Sequence, residues 1–203
     1  MSSPTLNPQP PTPDLGAGDA HVVLRSGRNI VIRHLRMRDA PLLADLLRSL
    51  SPESRYLRFF TPRGIPDEQA LSEAMHLADV DPRMHIALVV VAEVNGQPVA
   101  VAEARLIRDD DEPGQAEVAI LVRDDWQSEG LGTLLFDTLV QTGLVQGLLR
   151  VYAITLSENR GMRRLVQKLG LPYTSRSDSG ETIYWIALLA EQPLPGGNVW
   201  PTA

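Results

Sequence analysis

The middle of the chain carries its strongest structural instruction. Ile86 to Val94 is rich in β-branched residues, Pro98 to Ile107 is a second such stretch, and Asn95-Gly96 stands between them. That dipeptide is the strongest two-residue signal for a hairpin turn, because it tolerates the positive φ angles that a twisted two-residue loop demands. The segment is therefore expected to be a β-hairpin, which commits the chain to an antiparallel sheet. Gln115 to Val122 reads as a third strand. Beyond it the pattern alternates: a helix from Gly130 to about Gly147, a strand from Arg150 to Leu156, a helix from Glu158 to Leu169, then strands over Tyr173 to Arg176 and Thr182 to Leu189. Antiparallel strands followed by a strand-helix-strand-helix unit predict an α+β domain with a mixed, mostly antiparallel sheet flanked by helices.

Ahead of the hairpin, His21 to Arg25 and Asn29 to Arg33 look like two short strands around the turn Ser26-Gly27-Arg28. Leu42, Leu43, Leu46, Leu47 and Leu50 recur at three- and four-residue spacing, which gives a helix from about Arg38 to Leu50 one apolar face. Ser51-Pro52-Glu53 starts another helix, since Ser caps, Pro suits the first turn and Glu complements the helix dipole. Tyr56, Phe59 and Phe60, at helical spacing in it, are expected in the core. A third helix is expected from about Pro66 to Ala78.

With 203 residues, of which 43% are hydrophobic, the chain can bury one sizeable core. The five prolines within residues 1–20 stand among small and polar side chains, which predicts a disordered tail. A domain over 21–191 follows, and a second tail over 192–203 from which Val199 and Trp200 could dock. A formal charge of -6 argues against nucleic acid or an anionic membrane as partner, because both need clustered cations. The absence of cysteine excludes disulfides, thiolate nucleophiles and Cys-ligated zinc, and no metal is expected. No basic start with an apolar stretch opens the chain and no apolar run approaches a membrane span, so a cytoplasmic location is expected.

The strand ending at Val122 leads through Arg123-Asp124-Asp125-Trp126 into Gln127-Ser128-Glu129-Gly130-Leu131-Gly132, which opens a helix. Glycines let such a backbone curl until several amides point into one concavity, and the helix adds about half a positive charge there. This is a site for phosphate. It is not a dinucleotide fingerprint, which needs a third glycine where this chain has Leu135, nor a Walker loop, since Thr133 follows Gly132 with no lysine between them. Asp124, Asp125 and Glu129 crowd the anion site, so their carboxylates must point away.

Gln127, Gly130 and Gly132 match in place the cofactor loop of the GNAT superfamily of N-acetyltransferases, which this chain resembles. Asn159-Arg160-Gly161-Met162 through Lys168-Leu169-Gly170-Leu171 resembles the family's second cofactor motif, an Asn followed by a helix ending in Gly. More narrowly, Ser51 through Phe60 and Ala116-Glu117-Val118-Ala119 are similar to bacterial protein-lysine acetyltransferases of the Pat type. The resemblance implies acetyl-CoA as co-substrate and an amine acceptor, a protein lysine. It implies that the pantetheine pairs with backbone around Leu121 and Val122, that the pyrophosphate lies on amides from Ser128 to Thr133, and that Asn159 touches the pantetheine.

A free lysine has a pKa near 10.4 and is almost wholly protonated at pH 7, so transfer from a thioester to it needs a base. The Pat-type resemblance places the catalytic glutamate at Glu117, and burial of that carboxylate would raise its pKa towards neutrality. Glu103, His34 and His85 are the other candidates. Many relatives protonate the leaving thiolate with a tyrosine seven residues after the motif Asn, where this chain has Val166; Ser157 or a water is the substitute. Arg160, Arg163, Arg164 and Lys168 form a basic stripe that either meets the coenzyme 3'-phosphate or is solvated, and Asp109 to Glu112 reads as a solvated hairpin loop. Two other readings stay open: an acetyltransferase for small amines, and an acyl-CoA-binding module without turnover.

Overall fold

The structure, a computed structural model, describes residues 12, 13, 15, 18–60, 66–189, 194 and 195. The chain runs through β1 (Ala20–Val23), β2 (Asn29–His34), a 3-10 turn Met37–Asp39 leading into α1 (Ala40–Ser49), α2 (Pro52–Phe59) and α3 (Ala70–Ala78). It continues with β3 (His85–Val94), β4 (Gln97–Arg108), β5 (Gln115–Val122), a second 3-10 turn Asp124–Trp126 and α4 (Leu131–Val145). β6 (Arg150–Leu156), α5 (Arg160–Lys168), β7 (Tyr173–Asp178) and β8 (Glu181–Ala187) complete it.

The hairpin that organises the sequence also organises the sheet. Asn95 and Gly96 have φ of 53° and 75°, the pair of positive angles that a type I′ turn requires, and Val94 faces Gln97 across it. The register slips between Val90 and Val91, which face Ala102 and Ala100, so Val101 is an extra residue on β4. This bulge lets apolar residues on both sides of it reach the correct faces of the sheet. The eight strands lie in the order β1-β2-β3-β4-β5-β6-β8-β7, with every neighbouring pair antiparallel except β5 and β6.

Each face carries its own core. On one, Leu88, Val90, Ala104, Leu106, Val118, Val151 and Ile186 pack with Leu135, Phe136 and Leu139 of α4 and Val166 of α5. On the other, Ala87, Val89, Ala100 and Leu121 pack with Leu43, Leu46 and Leu47 of α1 and Ala70, Ala74 and Ala78 of α3. α4 is pressed close: a Cβ on Gly143 would lie 2.8 Å from Leu148 Cδ1 and 3.2 Å from Leu106 Cδ1, so any larger residue would have to push these leucine side chains aside.

Two expectations need correction. α3 begins at Ala70 because Asp67–Gln69 form a turn rather than the helix's first turn. α2 buries none of its residues; Tyr56, Phe59 and Phe60 are not core side chains, since the helix sits at the edge of the α1–α3 layer with only Phe59 packed against it. Most of 1–20 lies outside the described residues, but Leu15 within it is buried in the core and Ala20 opens β1. Val199 and Trp200 also lie outside the described residues, whereas the Pro195 carbonyl accepts a hydrogen bond from the Thr174 hydroxyl at 3.2 Å.

Candidate active site

The sheet contains one rupture that matters for function. β5 runs from Gln115 to Val122, yet it pairs with β6 only at Gln115 with Arg150, Ala116 with Val151 and Glu117 with Tyr152. From Val118 onward its β6 side has no ladder partner, although its β4 side stays paired out to Val122. Backbone amides and carbonyls on such an edge need partners, and they face a cleft of about 1020 Å³ lined by Glu117 to Val122 on one side and Ala153 to Thr155 on the other.

The loop from Gln127 to Gly132 closes one end of this cleft. Ser128 and Gly130 both have positive φ, 64° and 90°, and Gly130 is the N-cap of α4 with no side chain capping the helix. First-turn amides of a helix have no intrahelical acceptor, so those of Leu131, Gly132 and Thr133 stand available at the positive end of α4, and all three residues line the cleft. A Cβ on Gly132 would meet only Leu165 Cδ2, at 4.0 Å, so the chain itself does not crowd this position.

The acids around this loop are drawn off, each by its own partners. Glu129 pairs with Arg28 at 2.9 Å and accepts from Ser26 Oγ at 2.6 Å. Asp125 is gripped by Arg123 Nε and Nη2 at 2.6 and 2.7 Å, which holds its pKa below the ordinary value. Asp124 accepts from the Ser51 amide at 2.9 Å and from the Ser51 and Ser54 hydroxyls at 2.7 Å each; burial works against its charge, but these donors outweigh it and its pKa is lowered. Arg28 also stacks on the buried Trp126 at 4.3 Å and donates to the Asp125 carbonyl at 3.0 Å. Ser26-Gly27-Arg28, legible in the sequence only as a turn, is thus a brace for the loop a hundred residues later, and no local pattern could have shown it.

Glu117 is half-buried in the cleft wall, at the last paired rung before β5 and β6 part. Burial pushes its pKa up, and the Arg58 guanidinium from α2 pulls the other way. Tyr152 stands across the rung, and its phenol pKa is raised by burial, then by the Glu117 charge. A carboxylate whose pKa is raised towards neutrality is a better proton acceptor at neutral pH.

The model of the acetyltransferase (GNAT) family matches residues 46–171. The chain belongs to the GNAT family. It is 30% identical over 166 residues to an acetyltransferase of Pseudomonas aeruginosa, a match that covers 81% of this chain and 87% of that one. It is 31% identical over 159 residues to the acetyltransferase Pat of Mycolicibacterium smegmatis, covering 78% of this chain but 46% of Pat, so it spans less than half of that protein's length. The crystal structure of the GNAT domain of S. lividans PAT superposes with a TM-score of 0.70 at 26% identity, over 83% of this chain and 96% of that one.

GNAT enzymes take their acetyl group from acetyl-CoA, and the residues here fit that coenzyme: an open cradle of amides for a pyrophosphate, an unpaired strand edge for an extended amide-bearing arm, and cations nearby. Arg160, Arg164 and Lys168 line the cleft, while Arg163 turns back to the Ser157 carbonyl at 2.9 Å. Gln127 Nε2 donates to the Val122 carbonyl at 3.1 Å, which already engages one of the backbone groups at that strand end. Leu121 is largely buried between the cleft and the α1–α3 core. Asn159 lies in the cleft wall and caps α5 by accepting from the Met162 amide at 2.9 Å.

The remaining candidates lie apart from the cleft wall. Val166 is a core residue under the sheet, so no side-chain acid stands at that position. The Ser157 hydroxyl is bonded to Thr182 Oγ1 at 2.8 Å and does not line the cleft. Glu103 is buried, held by Arg105 at 2.5 Å with Arg58 3.9 Å away, and His34 and His85 are outside the lining. In the acidic loop, Asp109 accepts from the Asp111 and Glu112 amides and Glu112 pairs with Arg150, so the loop is tied down by its own carboxylates.

Proposed function

We propose that this GNAT enzyme moves the acetyl group of acetyl-CoA to a primary amine, a protein lysine, with Glu117 as general base, in the cytoplasm and within one domain over 21–191. The observation that carries the reading is the position of Glu117: a carboxylate with a raised pKa, at the mouth of the gap between β5 and β6, in the same cleft as the amide loop. The bound coenzyme supplies an acyl group activated as a thioester. Amides from Ser128, Glu129, Gly130, Leu131, Gly132 and Thr133 hold its pyrophosphate, Gln127 fixes the loop to the strand end, and the edge at Leu121 and Val122, with Asn159, receives the pantetheine.

Glu117 then takes the proton that a lysine ammonium must lose before it can attack. A general base of this kind is worth about 100- to 10,000-fold in rate. With Val166 in the core and Ser157 engaged, the coenzyme departs as thiolate and is protonated by solvent, a tolerable exit for a thiol whose ordinary pKa is about 8.5. The assignment of a protein lysine is supported by the Pat-like Ser51–Phe60 and Ala116–Ala119 segments, the first of which forms the outer wall of the cleft.

Incubating the protein with labelled acetyl-CoA, lysine peptides and a panel of small amines tests this directly. Label on the peptide ε-amine is the expected result. Transfer to small amines alone would remove the protein acceptor, and coenzyme binding without transfer to any amine would make the chain a non-catalytic module.

A further inference from the structure

The two walls of the cleft are tied together mainly at one carboxylate. Asp124 belongs to the turn that leads into the coenzyme loop, but its oxygens are spent on α2: Oδ2 accepts from the Ser51 amide, and Oδ1 from the hydroxyls of Ser51 and Ser54. Ser51 is itself the N-cap of α2, accepting from the Ser54 amide at 3.1 Å. Gln127 of the loop reaches the Ser54 hydroxyl at 3.3 Å. A carboxylate at a helix N-terminus also complements the dipole, so this clamp combines charge-assisted hydrogen bonds with a favourable field.

α2 needs such a clamp because it has no core of its own. None of its residues is buried, and its other attachments include Phe59 against the α1–α3 cluster, Arg55 on the Arg48 carbonyl and on Asp67, and Arg58 near Glu103. Yet α2 supplies Glu53, Ser54, Tyr56, Leu57 and Arg58 to the cleft. A helix held by polar contacts at its ends has a low free energy of local opening compared with one built into the core.

We propose that Asp124 is a positioning residue, which holds α2 against the coenzyme loop and thereby keeps Arg58 on the wall it shares with Glu117. The inference rests on the acetyl-transfer reading above and extends it: the loop that takes the coenzyme and the helix that meets the acceptor are one mechanical unit. The charged and titratable groups on the side of Glu117 are Glu53, Tyr56 and Arg58 from α2, Tyr152 from β6, Glu103 paired with Arg105 on the same face of β4, and His85 of β3 beyond Ile107. Of these, the charge that acts on Glu117 is that of Arg58, carried by the element that Asp124 clamps. Arg58 lowers the pKa of Glu117 against the larger effect of burial, so displacing that cation while Glu117 keeps its place in the β5 wall moves the pKa upward, and activity that needs the carboxylate is lost at a higher pH than before.

The test uses Asp124→Asn, which keeps the shape and removes the charge, with Ser54→Ala as the partner from the other side. Hydrogen exchange comes first, since it does not depend on turnover: the α2 amides are expected to lose protection in Asp124→Asn while those of α4 keep theirs. Coenzyme A affinity by calorimetry is expected to stay within about threefold, and KM for the amine to rise about tenfold, the scale of a lost charge-assisted hydrogen bond. The acid limb of kcat/KM is expected to shift to higher pH, and Arg58→Gln to show the same shift, with no further shift when the two are combined. Ser54→Ala and Asp124→Asn together are expected to cost less than the product of their single effects, because they break one contact.

Unchanged α2 protection in Asp124→Asn would overturn the proposal, as would a loss of coenzyme affinity with the acid limb in place, which is the signature of a residue that shapes only the loop. A wild-type protein that transfers to no amine would sink the functional reading instead, and the exchange experiment would still decide whether Asp124 holds α2.

Discussion

The two walls of the cleft are built on opposite principles. The α4 wall is part of the core: Leu131, Leu134, Leu135, Phe136 and Leu139 are buried, Gly143 lets the helix press against Leu106 and Leu148, and the amide cradle at its N-terminus is braced by Arg28 on Trp126. The α2 wall contributes no buried residue and is held largely by polar contacts, those of Asp124, Gln127, Arg55 and Arg58 among them, with Phe59 against the α1–α3 cluster. The difference suits the proposed function, in which a cradle for a fixed diphosphate would gain from rigid, preorganised amides and a surface admitting a side chain of another molecule would gain from a wall able to give.

The largest expected difference between the walls is in stability. Phe136→Ala should cost about 3–5 kcal/mol, and Leu57→Ala in α2 about 1 kcal/mol, the scale of partial burial of such a side chain. Chemical denaturation measures both, and equal losses would break the comparison. Next comes Gly130→Ala. Its φ of 90° is strained for any side chain, at about 1–2 kcal/mol, and relaxing that strain redirects the amides, so coenzyme A affinity by calorimetry should fall about tenfold or more, the worth of one or two hydrogen bonds to a charged group.

The smallest effect is expected at Arg28. Its pairing with Glu129 is exposed enough that Arg28→Ala should change stability by only about 0–1 kcal/mol. Freeing Glu129 beside the amides should nevertheless weaken coenzyme binding a few-fold, most at low ionic strength and less as salt screens the repulsion. Affinity that is the same at all salt concentrations would mean that Glu129 does not face the anion.

What could be read from the sequence follows the same division. Gln115–Val122 forms a strand with the expected bounds, Asn95-Gly96 makes the expected turn, and the loop before α4 curls at Gly130 as its glycines require, because each of these is decided by neighbours in sequence. The α2 wall was misread: Tyr56 and Phe59 have helical spacing, but only the packing of α1 and α3 decides whether a helix with that pattern has a core to enter. The partners of two of the three loop acids were equally out of reach, since Ser26 and Ser51 stand 103 and 73 residues away from Glu129 and Asp124 in the chain. Spacing suggested where an anion would sit; it could not say how the surrounding carboxylates are kept off it.

The raised pKa of Glu117 sets the most direct measurement. In the proposed reaction the carboxylate is the active form, so kcat/KM should fall as pH drops through a value raised above that of an ordinary glutamate. In Glu117→Gln, turnover should fall about 100- to 10,000-fold and the acid limb should disappear, while calorimetry shows acetyl-CoA binding as in the wild type. A Glu117→Gln enzyme that turns over at the wild-type rate, with the acid limb still in place, would contradict the assignment of Glu117 as the base.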